Sequence, residues 1–469
     1  MNRKETKYRY RHIARIVLEA STPIAVGSGM SDMQTDSPVI RDVNGLPYIP
    51  ATSLAGVIRH SLELKDDDSN IFGYHDRKGG RGSRAVFTDA VMVGEKGEVL
   101  DGIQNIDWDS PFYSHYQELC VRQHVRIGHT GVAEDAGKFD NEVVFQGTRF
   151  VFELEVVSDK DQEADFENVL SRIHQTSFRV GGGTRRGYGQ LTAVRCDCAF
   201  LDLSQEADLQ KYQEKSSNLN EDKAWSKFQP RENPGSVSQD WVQYQLDLRP
   251  RDFFLIGSGM GDDDADSVPV VEAVVTWDGD KPKFEERQVL IPASSVKGAL
   301  SHRTAYHYNK RKGHYADEID KVSDYVGVRN AAVRKLFGCA AGENEEAAGD
   351  KAPVNAPRRG NVLLGDVFLP VQDTKVFYHN KIDYFTGGTI NGALFQEKSV
   401  YGKGCSFKME ILVHRDALEE DDVREAFEQS LRDLCAGLLP LGGATGRGNG
   451  IFEGKLYKNG EVIYGKENR

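Results

Sequence analysis

Two aspartates, Asp36 and Asp266, stand 230 positions apart, each a few residues after the same Gly-Ser-Gly-Met turn, Gly27–Met30 and Gly257–Met260. A loop carboxylate beside a glycine turn has three chemical uses. It orients an attacking hydroxyl, accepts its proton, or holds Mg²⁺ or Mn²⁺ against a phosphate. A lone loop aspartate is ordinarily a solvated turn residue, and recurrence at one spacing is what singles these two out as catalytic and metal-binding candidates. The second loop departs from the first. Ser267 and Val268 precede Pro269, whereas Ser37 alone separates Asp36 from Pro38, and Asp262, Asp263 and Asp264 crowd the same turn. Asp264 or Asp263 therefore competes with Asp266 for the role.

Phosphate recognition needs backbone N–H groups open to close approach, with fixed cations nearby. Gly181–Gly189 (Gly-Gly-Gly-Thr-Arg-Arg-Gly-Tyr-Gly) and Gly442–Gly450 (Gly-Gly-Ala-Thr-Gly-Arg-Gly-Asn-Gly) offer both, with Arg185, Arg186 and Arg447 inside the loops. Two helix starts, Thr52-Ser53 and Ser294-Ser295, add hydroxyls and free N–H groups at the positive end of a helix dipole. Ordinary capping explains the serines equally well. Lys297 fits phosphate better; its counterpart, Ala55, does not. Neither glycine loop has the strand–helix placement and downstream acid of a dinucleotide fold.

These residues need a scaffold, and the chain carries it twice. Ile49–Gly56 (Ile-Pro-Ala-Thr-Ser-Leu-Ala-Gly) recurs as Ile291–Gly298 (Ile-Pro-Ala-Ser-Ser-Val-Lys-Gly), and the glycine loops close each half. Ordered landmarks with loop-sized changes of spacing indicate a tandem duplication. Alternation predicts strands at His12–Glu19 and Val242–Leu248. Helices should start at Thr52 or Ser53 and at Ser294 or Ser295. Strand-like runs around Asp89 and Asp366, each with a buried-looking aspartate, come next. Long irregular sections separate these from strands at Phe150–Val156 and Phe407–Val413, helices near Glu167–Thr176 and Val423–Leu438, and a last strand. This strand, helix, strand, strand, helix, strand order is α+β and ferredoxin-like, the order of RNA-recognition sheets. The expected division is a first domain at 8–200, a polar, exposed linker at 201–239, and a second domain at 240–469.

The 469 residues carry a net charge of −13, which counts against a simple nucleic-acid binder. The acids come in blocks at Asp66–Asp68, Asp262–Asp264, Glu343 to Glu346 and Glu419–Asp422. The cations cluster elsewhere, at Arg77, Lys78, Arg81 and Arg84, at Lys310–Lys312 and at Arg358-Arg359. Such segregation permits a basic groove on an acidic body. Six cysteines are scattered; Cys196 and Cys198 read as two strand thiols on one face rather than a zinc site. No apolar run is long enough for a membrane, and the basic start lacks the apolar core of a secretion signal. A reducing cytoplasm is expected.

The run from Gly27 through Asp36-Ser-Pro-Val-Ile-Arg-Asp42 to Gly45-Leu-Pro-Tyr-Ile-Pro-Ala-Thr-Ser-Leu-Ala-Gly56 resembles the RAMP backbone proteins (the Cas seven group) of type III CRISPR effector complexes. Arg126–Ala133 resembles their thumb hairpin, Gln146–Phe150 the strand after it, and both glycine loops their C-terminal signature. The resemblance covers essentially residues 8–200 and 240–469, and a two-domain chain is similar to the fused subunits of the type III-D variety. It implies tandem modified ferredoxin-like (RNA-recognition-like) domains with thumb insertions that bind guide CRISPR RNA and pair it with single-stranded target RNA. It also implies metal-dependent cleavage of the target beside each thumb, with Asp36 as the matching acid. Ser53, Arg59, Arg126, Arg185, Arg186, Ser294, Ser295, Lys297, Arg303 and Arg447 are the RNA-binding candidates. Further effector subunits, including the large polymerase-like one, would be partners, and no membrane would be. His379–Gly388, the second thumb region, lacks the Arg-Ile and Thr-Gly pattern. Two other readings remain: a purely structural guide-RNA-binding subunit, and a guide-processing endoribonuclease similar to the Cas six group. Two glycine loops and two acid loops count against the latter.

Overall fold

In a computed structural model of the chain, the residues described are 8–31, 35–64, 70–76, 79–128, 130–221, 225–232, 235–339, 357–370 and 373–465. The acidic blocks at 66–68 and 343–346, with Arg77 and Lys78, lie outside them.

The first half contains β1 (Tyr10–Ala20), α1 (Ala51–Leu62), β2 (Ala85–Phe87), a hairpin of β3 (Cys120–Ile127) and β4 (Ala133–Val143), β5 (Arg149–Ser158), α2 (Ala164–Ile173) and β6 (Leu191–Asp202). β1 lies antiparallel between β5 and β6, and β2 pairs with β5, so the sheet runs β6-β1-β5-β2. One face presents Ala14, Ile16, Leu18, Phe150, Phe152 and Leu154. Leu54 and Ile58 of α1 and Phe166, Val169, Leu170 and Ile173 of α2 close over it. The i, i+3, i+4, i+7 spacing on α2 is why that helix buries a single stripe.

The second half repeats the plan: β7 (Trp241–Pro250), a hairpin of β8 (Val271–Asp278) and β9 (Lys281–Ile291), α3 (Ala293–Lys312), β10 (Val362–Leu364), a second hairpin of β11 (Thr374–His379) and β12 (Phe395–Tyr401), β13 (Phe407–His414), α4 (Asp421–Cys435) and β14 (Phe452–Lys458). Its sheet runs β10-β13-β7-β14, so strands of equivalent rank take equivalent places. Two modified ferredoxin-like units in tandem, each carrying an inserted hairpin, make up the α+β fold.

Three expectations are corrected in detail. Neither helix start is capped by its own serines or threonine. Instead Ala51 N–H donates to Asp89 Oδ1 at 2.7 Å, and Ala293 N–H donates to Asp366 Oδ1 at 2.7 Å. The two aspartates that looked buried in sequence thus have one local job, but Asp366 is buried and Asp89 is exposed. The third concerns Ser204–Gln239, which is not an exposed tether throughout. Leu203, Tyr212, Trp225 and Phe228 pack on Ile13, Ala199 and Leu201, the sheet face opposite the helices. Leu219 is buried nearby, and its carbonyl accepts from Arg15 at 3.1 Å. Covering that face hides apolar atoms that a one-sided sheet would leave in water. Cys196 and Cys198 lie side by side on β6 with sulfurs 3.7 Å apart.

The two units meet along an extensive seam. Arg122 of β3 is buried there, forking onto both Glu272 carboxylate oxygens at 2.7 Å while its remaining nitrogen reaches Asp366. Burial opposes its charge, but Asp366 and Glu272 outweigh that and hold the guanidinium well above its usual pKa. The β8–β9 hairpin reaches across. Trp277 donates from Nε1 to Gly147 O at 2.7 Å, and Phe284 stacks on His115 at 3.8 Å amid Phe112, Tyr116 and Phe145. Gly147 adopts φ +84°, and a Cβ there would stand 1.8 Å from Val275 O. Only glycine permits that approach.

Candidate nucleic-acid interface

The aspartate loops sit in the same way in both domains. Ser28 N–H donates to Pro38 O at 3.0 Å and Ser258 N–H to Val268 O at 2.9 Å; Ile40 N–H reaches Val26 O and Val270 N–H reaches Ile256 O, both at 2.8 Å. Every equivalent pair is 230 residues apart. The altered proline is therefore not an insertion: proline has moved one place within a loop of unchanged length.

Each loop lies against the second strand of its hairpin. Asp36 Oδ2 accepts from Asp140 N–H at 3.2 Å, and Asp266 Oδ2 accepts from Gln396 N–H at 2.8 Å. One residue on, Ser37 O accepts from Glu142 N–H at 3.2 Å, and Ser267 O from Lys398 N–H at 2.8 Å. Asp36 and Asp266 are thus geometric equivalents, both exposed. Asp264 and Asp262 take another place, bonded to Lys398 Nζ at 2.6 and 2.9 Å, and that ammonium helps hold the Asp262 carboxyl below its usual range. Asp140 is likewise held low, by the Asp36 N–H and the Thr35 hydroxyl.

Beside each loop runs a three-layer stack that sequence reasoning missed. His124 lies opposite Phe139 across the first hairpin, rings 4.9 Å apart, and the Arg186 guanidinium lies 4.8 Å from the Phe139 ring. His379 lies opposite Phe395 at 4.9 Å, with Arg447 at 5.6 Å. The same hairpin, at the place where the resemblance expects a thumb, thus recurs in each domain, and the tip of the second exposes Tyr384 and Phe385 almost completely. A histidine before and a phenylalanine after a hairpin turn were visible in both halves, but only strand register pairs them. His124 Nε2 lies 2.8 Å from the Tyr188 hydroxyl; burial, then Arg186 and Arg122, push its pKa down to about 4.

The remaining candidates divide by position. Arg186 and Arg447 flank the thumbs, Arg447 also pairing with Glu397. Arg126 meets Glu134 across the first thumb at 2.8 Å, half exposed. Ser53 and Arg59 are half-buried on α1, and Ser294 and Ser295 sit in the first turn of α3. Arg185 and Lys297 lie in the seam: Arg185 donates to Gly360 O at 2.6 Å, and Lys297 donates to Arg185 O at 3.0 Å. Desolvation and neighbouring cations bring Arg185 down to about 9 and Lys297 to about 8. Arg303 pairs with buried Asp433, which also takes His307, between α3 and α4. Several loop glycines serve packing: a Cβ at Gly181 or Gly442 would meet the carbonyl of Ala25 or Leu255 at 2.6 or 2.3 Å.

Metal fit is partial. Among the described residues no three acidic, histidine or cysteine groups converge. Each loop supplies an exposed carboxylate whose second oxygen has no bond among the described residues, which suits an ion held jointly by one or two carboxylates and a phosphate.

A family model described as the RAMP superfamily matches residues 17–192 and 254–453, one region in each unit. The CRISPR system Cms endoribonuclease Csm3 of Methanocaldococcus jannaschii is 29% identical over 203 residues, spanning 37% of this chain and 75% of that protein. Among the described residues no helix is long and apolar enough to cross a membrane. With both ferredoxin-like units matched in order, the chain belongs to the RAMP superfamily.

Proposed function

We propose that this protein is a backbone subunit of a type III CRISPR effector complex, binding guide RNA along both domains and cutting complementary target RNA once per domain. The carrying observation is the duplicated placement of Asp36 and Asp266 against the thumb strands, with a glycine-loop arginine stacked beside each. The likeness to an endoribonuclease of a CRISPR system supports the reaction class. Asp36 and Asp266 orient the attacking hydroxyl or take its proton, and would hold Mg²⁺ or Mn²⁺ that neutralises charge on the phosphate. Arg186 and Arg447 hold RNA through backbone charge and shape, because a guided subunit must accept any sequence.

The test is cleavage of an RNA matched to the co-purifying guide. Two cuts at fixed separation, both abolished by EDTA, are expected. Asp36→Ala should remove one and Asp266→Ala the other without loss of target binding. Target that is bound but never cut would favour the purely structural alternative. Binding should weaken steeply with salt despite the acidic composition, and Arg186→Ala and Arg447→Ala should weaken it without sequence preference.

A further inference from the structure

Cys196 and Cys198 sit side by side on the helix-covered face of β6, with sulfurs 3.7 Å apart. Alternate residues of a strand share a face, which is what brings the two thiols together. They differ in access: Cys196 is 3% exposed, whereas Cys198 is only half-buried. Arg231 lies beside the pair. Its backbone N–H donates to Cys196 O at 2.8 Å, and its guanidinium forks onto Glu167 of α2 at 3.0 and 2.6 Å. The bond from Cys196, helped against desolvation by the Arg231 charge, holds the Cys198 thiol below its usual pKa; that same bond, and then burial, push Cys196 up.

The repeated scaffold does not call for this pair. Cys196 and Cys198 stand seven and nine residues after Gly189, and the residues seven and nine after Gly450 in the second domain are Tyr457 and Asn459. Burial pushes the Cys120 and Cys435 thiols up to about 12, so those two keep their protons. A partly exposed thiolate in contact with a protonated thiol is the arrangement of a redox-sensing pair.

We infer that Cys196 and Cys198 form a peroxide-reactive dithiol that closes reversibly to a disulfide within β6. The Cys198 thiolate attacks one oxygen of hydrogen peroxide. The O–O bond breaks, and the departing hydroxide takes up the proton that Cys198 gave to solvent, becoming water. The Cys196 sulfur then attacks the sulfenic acid on Cys198. The S–O bond breaks, and the hydroxide that leaves takes the Cys196 proton as a second water. Two thiols are oxidised by two electrons, and the peroxide is reduced by the same two. Cα atoms two residues apart on a strand are about 6.6 Å from each other, at the far end of the span a disulfide bridges. β6 must pucker to close the bond, so the disulfide is strained and readily reduced. Puckering disturbs Gln229–Arg231, which pairs with Asp197 and Cys198 along the outer edge of β6 and belongs to the connection between the domains. Oxidation thus loosens that connection.

The experiment treats the reduced full-length chain with a slight excess of hydrogen peroxide, quenches with iodoacetamide and maps tryptic peptides by mass spectrometry. Cleavage after Arg195 leaves both cysteines in one peptide, so the bond reads as a loss of two hydrogens that dithiothreitol restores. That peptide should oxidise about tenfold faster, or more, than those holding Cys120 or Cys435. Cys196→Ser should instead trap a sulfenic acid at Cys198 that dimedone labels, and Cys198→Ser should leave Cys196 unoxidised. Brief trypsin treatment of the folded chain should cut after Arg231 several-fold faster once the pair is oxidised. Absence of the bond in wild type overturns the inference, whether all cysteines react alike, Cys198 runs on to sulfinic acid, or nothing reacts. If either serine variant misfolds, the wild-type peptide map decides alone. Unchanged cutting after Arg231 overturns the link to the interdomain connection.

Discussion

The carboxylate of Asp266 accepts the backbone N–H of Gln396 at 2.8 Å, the contact that Asp36 makes with Asp140 in the other domain. Asp264, two residues earlier, is instead tied to the Lys398 ammonium. If the loops act on RNA, Asp36→Ala and Asp266→Ala should each slow one cut by about 10²-fold or more, the usual scale for losing a proton-transfer or metal-bound carboxylate. Asp264→Ala should leave both cuts. Mapping product ends on a labelled target checks all three, and loss of a cut in Asp264→Ala alone would transfer the role to that residue.

Arg122 ties the two units together through Glu272 and Asp366. Replacing it with methionine strands Glu272 and Asp366 in a buried seam, which should cost roughly 3–5 kcal/mol. Adding Glu272→Gln and Asp366→Asn to Arg122→Met should recover a large part of that loss. Urea midpoints of the single and triple variants measure it, and equal midpoints would show that the ion triad contributes little.

Gly187 and Gly448 hold the same place in the two glycine loops, at φ +113° and +94°, but only Gly187 has a neighbour within 4 Å of a would-be Cβ. Alanine at either position strains the backbone by about 1–3 kcal/mol. Gly187→Ala should lose an additional ~1–3 kcal/mol from overpacking against Ala293. Calorimetric melting of the two variants gives the comparison. A larger effect at Gly448 would mean that its loop is not open.

His124 should make the first thumb sensitive to acid. Its pKa falls from 6.5 to about 4 in the folded chain, so the unfolded chain binds more protons between those values. Stability from this group is therefore full above pH 6.5 and is lost as pH falls toward 4. Melting temperature followed over that range should drop less steeply in His124→Gln than in wild type. Parallel curves would show that the imidazole is not the group responsible.

The duplication, the strand and helix order, and the two aspartate loops were legible in the residues because each is local or periodic. Alternation reports a strand, a 3–4 spacing reports a helix stripe, and equal offsets report a repeat. Local pattern carries no information on which distant groups meet. The serines at the helix starts looked like caps, yet the acceptors come from Asp89 and Asp366, 38 and 73 residues away. Lys297 at a helix start and Arg185 in a glycine loop looked like separate phosphate ligands, but docking of the units brings them together in one seam. The displaced proline suggested a shifted acid, whereas the backbone register held Asp266 in place. Residue types and their order were thus sufficient to show the repeat and to single out the candidate acids. Tertiary structure alone decided which aspartate meets the thumb and which arginines remain beside it, because those outcomes depend on strand register and on burial between domains.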